Sequence, residues 1–423
     1  MYISSGCRFI NAVWFAGICA YSVIFAVNSS KRYDASFYKL WGLFVYSLVD
    51  WDGLCFCLDP KKTRARGATM SAVRVILAAG GTGGHVFPAI GLAEALSKRG
   101  HSVLCLTDTR AIDLQPSVRS WDVKCIPAIS FSGSGIRPKI RAFWTLIKGI
   151  FLSQYFIKKF DAEIVVGFGG YPTVAPIIAA FISRSIVILH EQNAVLGRAN
   201  RWLSSVAHII ATSFELTRGL NDKHSKTVMV GNPVRNEMKK ARSSSYPIIK
   251  ADNKINILVI GGSAGAKILS DTVPKALLLL PTSLRKNLLI TQQCREEDLS
   301  RVVAIYKTAK QKSDIKTFFD DISEKIKNSH LVISRSGAST VAELSVIGRP
   351  AILIPYQFAI DNHQKINADA MVKSGGAWSF DESNLQPKAL ANFLEEILTD
   401  HEKLRSAAHA SRNFGTPSLR RSL

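Results

Sequence analysis

Three glycine-rich segments, AGGTGGH at 79–85, GFGGYPTVAP at 167–176 and GGSAGA at 261–266, each follow a run rich in β-branched residues. Glycine lets backbone N–H groups close on an anion, and a helix opening at the turn adds its positive end, so the chemistry to expect is phosphate binding. One such turn is weak evidence, since strand-to-helix turns use glycine for sterics alone; three are harder to set aside. His85 follows the first turn, and imidazole, which titrates near neutrality, suits a general base at a reacting hydroxyl. The bland alternative is a histidine that bonds the turn and shapes it. Glu191, in HEQN, is the second candidate for the base. Glu343, in SGASTVAE, falls in the first turn of an expected helix, where the dipole favours a carboxylate on its own account. Arg235, in GNPVR, stands in a linker, where an arginine is commonly just solvated.

Other chemistries fit less well. A dinucleotide fingerprint needs a third glycine where Val86 follows Gly81 and Gly83, even though Asp108 lies near the end of the second strand. There is no Walker lysine pattern. Seven cysteines are scattered without a metal or disulfide framework, and Cys55 and Cys57 are too close for a zinc knuckle. A net charge of +22, from 54 basic and 32 acidic residues, asks for an anionic partner. Without zinc-finger spacing, an aromatic RNP strand or a basic zipper, nucleic acid gives way to phosphate and membrane.

The elements that must position these residues form two similar sets. VRVILAA, SVLCLT, EIVVGF, SIVILHE, HIIATS and TVMVG read as strands with helical material between them, the first helix running from Pro88 to Arg99. The order of strand, glycine turn and helix restarts at KINILVIGGSAGAKIL and continues through NLLITQQ, IKTFF, HLVIS and PAILIPY. The expectation is an α/β chain of two Rossmann-like, doubly wound parallel-sheet domains, 71–235 and 236–409, facing across a cleft that is the default ligand site. Residues 410–423 are expected to pack back on the first domain. Residues 7–27 are apolar enough to span a bilayer, whereas 40–49 are not. Because Met70 directly precedes the first domain, residues 1–69 read either as an upstream extension of the reading frame or as an anchor.

The segments GGTGGHVFPA, GFGGYPT, HEQNAVLGRAN, GNPVR, GGSAGA and SRSGASTVAEL occur in this order. Together they resemble the MurG family of glycosyltransferases, family 28, which convert lipid I to lipid II in cell-wall synthesis. The resemblance spans residues 71–423 and implies a GT-B fold and inverting transfer of N-acetylglucosamine from UDP-N-acetylglucosamine, with no metal or cofactor. It also implies Glu343 on the ribose hydroxyls, backbone groups at Phe319 reading uracil, and Ser263 and Arg235 on the diphosphate. The helix opening at Ala338, Ser339, Thr340, Val341 and Ala342 would neutralise the leaving group. Gln364 would contact the sugar, and Asn193 would reach it on domain closure. Thr82, Gly83 and Gly84 would hold the acceptor's diphosphate, with His85 as base and Glu191 as runner-up. His363 and Ala264 stand where relatives commonly carry glutamine.

Residues 136–160 interleave Arg137, Lys139, Arg141, Lys148, Lys158 and Lys159 with Phe143, Trp144, Ile147, Ile150 and Phe151 and contain no acid. Such a stretch suits an anionic membrane surface; a helix packed on the sheet with a solvated basic face is the alternative. The implied partners are UDP-N-acetylglucosamine, lipid I, the anionic cytoplasmic face of the bacterial inner membrane and other cell-wall synthesis and division proteins. A related glycolipid synthase and a non-catalytic sugar-nucleotide-binding scaffold remain as rivals.

Overall fold

The computed structural model describes residues 72–110, 122–129, 136–220, 226–249, 254–262 and 265–415. The apolar stretches before residue 70, Ser263 and Ala264 therefore lie outside the described residues. Among the described residues, no helix is long and apolar enough to cross a membrane.

The first sheet has seven parallel strands in the order β3-β2-β1-β4-β5-β6-β7: β1 Arg74–Ala78, β2 Ser102–Thr107, β3 Val123–Cys125, β4 Ile164–Gly167, β5 Ile186–Glu191, β6 Ile209–Thr212 and β7 Thr227–Met229. The second has six, in the order β10-β9-β8-β11-β12-β13: β8 Ile255–Ile260, β9 Leu288–Gln293, β10 Ser313–Lys316, β11 Leu331–Ser334, β12 Ala351–Leu353 and β13 Ala377–Ser379. Every strand pair is parallel. Parallel strands covered on both faces read as continuous apolar runs, and β4, β6, β11 and β12 are buried at every residue.

Strand order reverses between β1 and β4 in the first sheet and between β8 and β11 in the second, the places where open α/β sheets bind ligands. The turns after β1 and β4 carry two of the three glycine segments. Those after β8 and β11 carry GGSAGA and SRSGAST.

Helix α1, Gly83–Lys98, starts five residues before the expected Pro88 and takes the proline inside it. Proline has no N–H to give the carbonyl of Gly84, one turn back. Gly91 of α1 lies so close to the linker that a Cβ there would stand 2.9 Å from the Val234 carbonyl oxygen. Beyond that contact the linker turns into the second lobe, where Val234, Met238 and Ala241 join the core around Leu344 and Val332. Two strands escaped the sequence reading, β3 and β13, each three residues long. The segment read as IKTFF yields a strand only as far as Lys316.

The basic segment is helix α2, Ile136–Phe160. Ala142, Gly149, Ser153 and Ile157 are buried, and α2 packs along α3, Val174–Ile182. Its other side leaves Ile136, Ile140, Phe143, Trp144, Phe151 and Tyr155 exposed among the cations, beside Phe181 and Ile182 at the end of α3.

In the second lobe, α4, Ala338–Ile347, ends at Gly348 in the left-handed conformation, φ 75°. Arg349 is 1% exposed, and its guanidinium donates to the carbonyls of Ile347, Gly348, Lys327 and Ser245 rather than to a carboxylate. Helix α5, His363–Lys373, follows Asp361 and Asn362, both at φ 53°. The last described helix, α6, His401–Phe414, lies on α4 through Ser411 and Arg412. Towards the first lobe it turns the ring of Phe414, 6.3 Å from that of Phe214. Gly348 and Gly376 let α6 settle on its own lobe, and, of the segment expected to return to the first domain, residues 416–423 lie outside the described residues.

Candidate active site

The turn after β1 is held from below by Asp108. One of its oxygens accepts the N–H of Gly81 at 3.0 Å and the other the hydroxyl of Tyr171 at 2.9 Å, so the first two glycine segments are tied together. That clamp is what the acid near the end of β2 does here. Thr82 caps α1 without a side-chain bond, and intrahelical bonding resumes with His85 N–H to the Thr82 carbonyl. The N–H groups of Gly83 and Gly84 are the unsatisfied first-turn donors of an α-helix, as an anion site requires.

His85 fits against the second glycine turn. A Cβ at Gly170, which has φ 75°, would stand 3.2 Å from its ring, so this turn must be free of side chains. His85 Nδ1 is 3.1 Å from Gln192 Oε1, and Gln192 Nε2 is 3.0 Å from Nδ1 of His190. Nε2 of His190 is in turn 3.0 Å from the Gly231 carbonyl oxygen. Burial pushes His190 down to about 4.

Glu191 is 2% exposed and fully engaged. Oε1 accepts from the N–H and side-chain amide of Asn193, and Oε2 accepts from the N–H of Gly197 and the amide of Asn200. A carboxylate with about four lone-pair sites has none left for a substrate proton, so this geometry gives Glu191 the shaping of the 191–200 loop rather than base catalysis.

From the second lobe, α4 points its N-terminus at the same place. Gly337 caps it without a side-chain bond, and the first intrahelical bond runs from Val341 N–H to the Gly337 carbonyl. Ala338, Ser339 and Thr340 therefore offer free N–H groups, whereas Val341 is buried in the core and Ala342 packs beside it. Both also line the cavity between the lobes, opposite Phe214, Met229 and Asn232 of the first. The hydroxyl of Ser339 donates to the Gly84 carbonyl across the cleft at 3.4 Å. Pro88 had left that carbonyl without its usual partner.

Glu343 lies one turn into α4. Its carboxylate pairs with Arg235 at 3.0 Å, and the guanidinium stacks 4.7 Å above the Phe87 ring of α1. Burial pushes the Glu343 carboxyl up and Arg235 pulls it back down. Gln364 accepts the Tyr356 N–H on its side-chain oxygen, and His363 turns its Nδ1 to the Ile360 carbonyl. Phe319 is buried in the loop after β10, with the ammonium groups of Lys316 and Lys325 over its ring.

Asn193 reaches the second lobe through a partner that the sequence did not signal as functional. Asn367, fully buried on α5, accepts the Ala194 N–H at 2.9 Å and donates to Asn193 Oδ1 at 3.1 Å and to the Ser336 carbonyl at 3.2 Å. It stands three residues after Gln364, on the same helix face, which is the signal that could have found it. Gln192 likewise follows β5 directly, two residues after His190 and so on the same face. Among the described residues, no group of three or more His, Cys, Asp or Glu could hold a metal.

Models of two families match the chain: the glycosyltransferase family 28 N-terminal domain over residues 75–212 and the family 28 C-terminal domain over 256–422. A protein of Zymomonas mobilis named UDP-N-acetylglucosamine--N-acetylmuramyl-(pentapeptide) pyrophosphoryl-undecaprenol N-acetylglucosamine transferase is 42% identical over 343 residues, 81% of this chain and 88% of its own. One of the same name from a Methylobacterium strain is 42% identical over 82% of this chain and 94% of its own. Among solved structures, MurG of Acinetobacter baumannii superposes with a TM-score of 0.65 at 28% identity, over 82% of this chain and 96% of its own. The kitacinnamycin glycosyltransferase, 14% identical with a TM-score of 0.57 over 81% of this chain and 96% of its own, shares the fold. With its paired parallel sheets and facing glycine turns, the chain belongs to glycosyltransferase family 28, among the MurG enzymes.

Proposed function

We propose that the chain moves N-acetylglucosamine from UDP-N-acetylglucosamine to the muramyl hydroxyl of lipid I, the pyrophosphoryl-undecaprenol acceptor in its relatives' names, giving lipid II. The observation that carries this reading is the meeting of two helix N-termini without side-chain caps, α1 at Gly84 and α4 at Ser339, across one cleft. Two diphosphates, one on the donor and one on the lipid, would each find such an end. Preorganised amide dipoles there stabilise the charge that develops on a departing UDP.

His85 takes the proton of the acceptor's C4 hydroxyl as that oxygen bonds to the anomeric carbon. The bond from that carbon to the UDP oxygen breaks in the same displacement, so configuration inverts and UDP leaves with the electron pair. Glu343 receives the ribose hydroxyls, Arg235 moves to the diphosphate, and the loop at Phe319 receives uracil. Ala338, Ser339 and Thr340 supply first-turn N–H groups, Ser263 is assigned to the same diphosphate, and Gln364 takes the sugar. Thr82, Gly83 and Gly84 hold the acceptor's diphosphate. The exposed aromatic and basic side of α2 rests on the anionic inner face of the bacterial cytoplasmic membrane, where other cell-wall synthesis and division proteins are its neighbours.

The test is to incubate the purified chain with labelled UDP-N-acetylglucosamine and a lipid I analogue. Lipid II is expected, and His85→Ala should cut turnover by about 10²–10⁴-fold with little change in donor affinity. Donor binding without transfer would reject the enzyme reading, and transfer only to another glycolipid would reject this acceptor.

A further inference from the structure

We infer that Gln192 and His190 are positioning residues that hold His85 with its proton on Nδ1, leaving the Nε2 lone pair for the acceptor hydroxyl. The inference rests on His85 being the base and follows from hydrogen-bond directions that only one assignment satisfies. The Gly231 carbonyl can only accept, so Nε2 of His190, 3.0 Å away, carries a hydrogen. His190 is completely buried and, pushed down to about 4 by that burial, is neutral at working pH, so its Nδ1 can only accept. The group of Gln192 that faces this nitrogen at 3.0 Å is therefore its NH2. The same group donates to the His190 carbonyl at 3.1 Å, which independently fixes the orientation of the amide.

Gln192 Oε1, an acceptor, is thus turned to His85, and Nδ1 of His85 must donate to it across 3.1 Å. In a neutral imidazole one nitrogen donates and the other accepts, so Nε2 keeps its lone pair. Gln192 is 1% exposed, and the ring of His190 lies 5.4 Å from that of Phe168, so neither side chain can turn freely. Glutamine suits the middle of the chain because it presents a donor to one histidine and an acceptor to the other. The titratable groups on the surrounding elements are already engaged: Glu191 by its four donors, Asp108 by Gly81 and Tyr171, and Glu343 by Arg235.

Full-length protein labelled with ¹⁵N-histidine tests the inference by NMR, with His85→Gln identifying the His85 signals. The wild type should show a protonated Nδ1 and an unprotonated Nε2 at His85. Gln192→Leu should lose that preference and lower kcat about 10- to 100-fold at unchanged KM for the sugar nucleotide. Gln192→Glu keeps an acceptor for His85 Nδ1–H while giving up the donor to His190, and its negative charge should restore the His85 tautomer and move the acidic limb of the kcat/KM profile upward. A wild-type His85 protonated on Nε2, or a Gln192→Leu protein with wild-type tautomer and pH profile, would overturn the inference. If the leucine variant fails to fold, the glutamate variant decides alone, and an unmoved limb counts against it. Because the NMR readout needs no turnover, missing lipid II with the expected tautomer would reject the transferase reading and leave this arrangement standing.

Discussion

Glu191 and Glu343 are both recessed carboxylates, yet their surroundings give them opposite duties. Glu191 closes a loop with four hydrogen bonds, so Glu191→Ala strands several buried donors and should cost on the order of 3 kcal/mol, read as a lower urea midpoint. Glu343 has one movable partner, Arg235. Glu343→Gln should raise KM for the sugar nucleotide at least tenfold, the worth of about 1.4 kcal/mol, while a thermal melt shifts only slightly; a KM left at the wild-type value would take the ribose from this residue. At this scale the sequence is legible where a residue's type is dictated by its own turn, as with Gly83, Gly84, His85 and the opening of α4. It is silent on which of two carboxylates is saturated, since the donors to Glu191 come from residues two to nine positions on, in a loop that no periodicity describes and the short helix after it. Val341 and Ala342 make the related point, for a motif runs along the chain while a helix shares its residues between cavity and core.

Elements were read best where burial is complete. Continuous apolar strands and the repeated order of strand, glycine turn and helix mark both sheets, whereas β3 and β13 are three-residue edges whose pairing is decided by the neighbouring strand. Pro88 signalled a helix start and lies inside a helix instead, tolerated because the carbonyl it deprives, that of Gly84, faces the cleft. Helix α2 has one packed stripe, while its other side exposes aromatic residues among cations. Replacing Phe143, Trp144 and Phe151 together by serine should therefore abolish sedimentation with liposomes containing anionic lipid while leaving the melting temperature within a degree or two, since these side chains contribute little to the core. Binding that persists undiminished would leave the membrane contact without its anchor.

Among the described residues Asn367 joins the two lobes through both Ala194 and Asn193. Asn367→Leu should loosen that contact, seen as a larger radius of gyration by X-ray scattering and a raised KM for the sugar nucleotide. Each lobe also carries a buried histidine, His190 in the first and His330 in the second, pushed from 6.5 to about 4 mainly by burial. The unfolded chain binds these protons near pH 6.5 and the folded one only near 4. Their contribution is complete above pH 6.5 and drains away as pH falls towards 4, by up to about 3 kcal/mol for each. Urea midpoints measured from pH 7.5 down to 4.5 should be level at first and then fall, and His190→Asn or His330→Asn should flatten the slope.

Arg349 lends α4 a further property. Its guanidinium stays charged, burial bringing it down only to about 10, and it sits among the carbonyls of Ile347 and Gly348 at the far end of that ten-residue helix. A permanent cation there quenches the helix's electronegative terminus, so α4 meets the cleft as a monopole in effect, its attraction for oxyanions undiminished by an opposing tail.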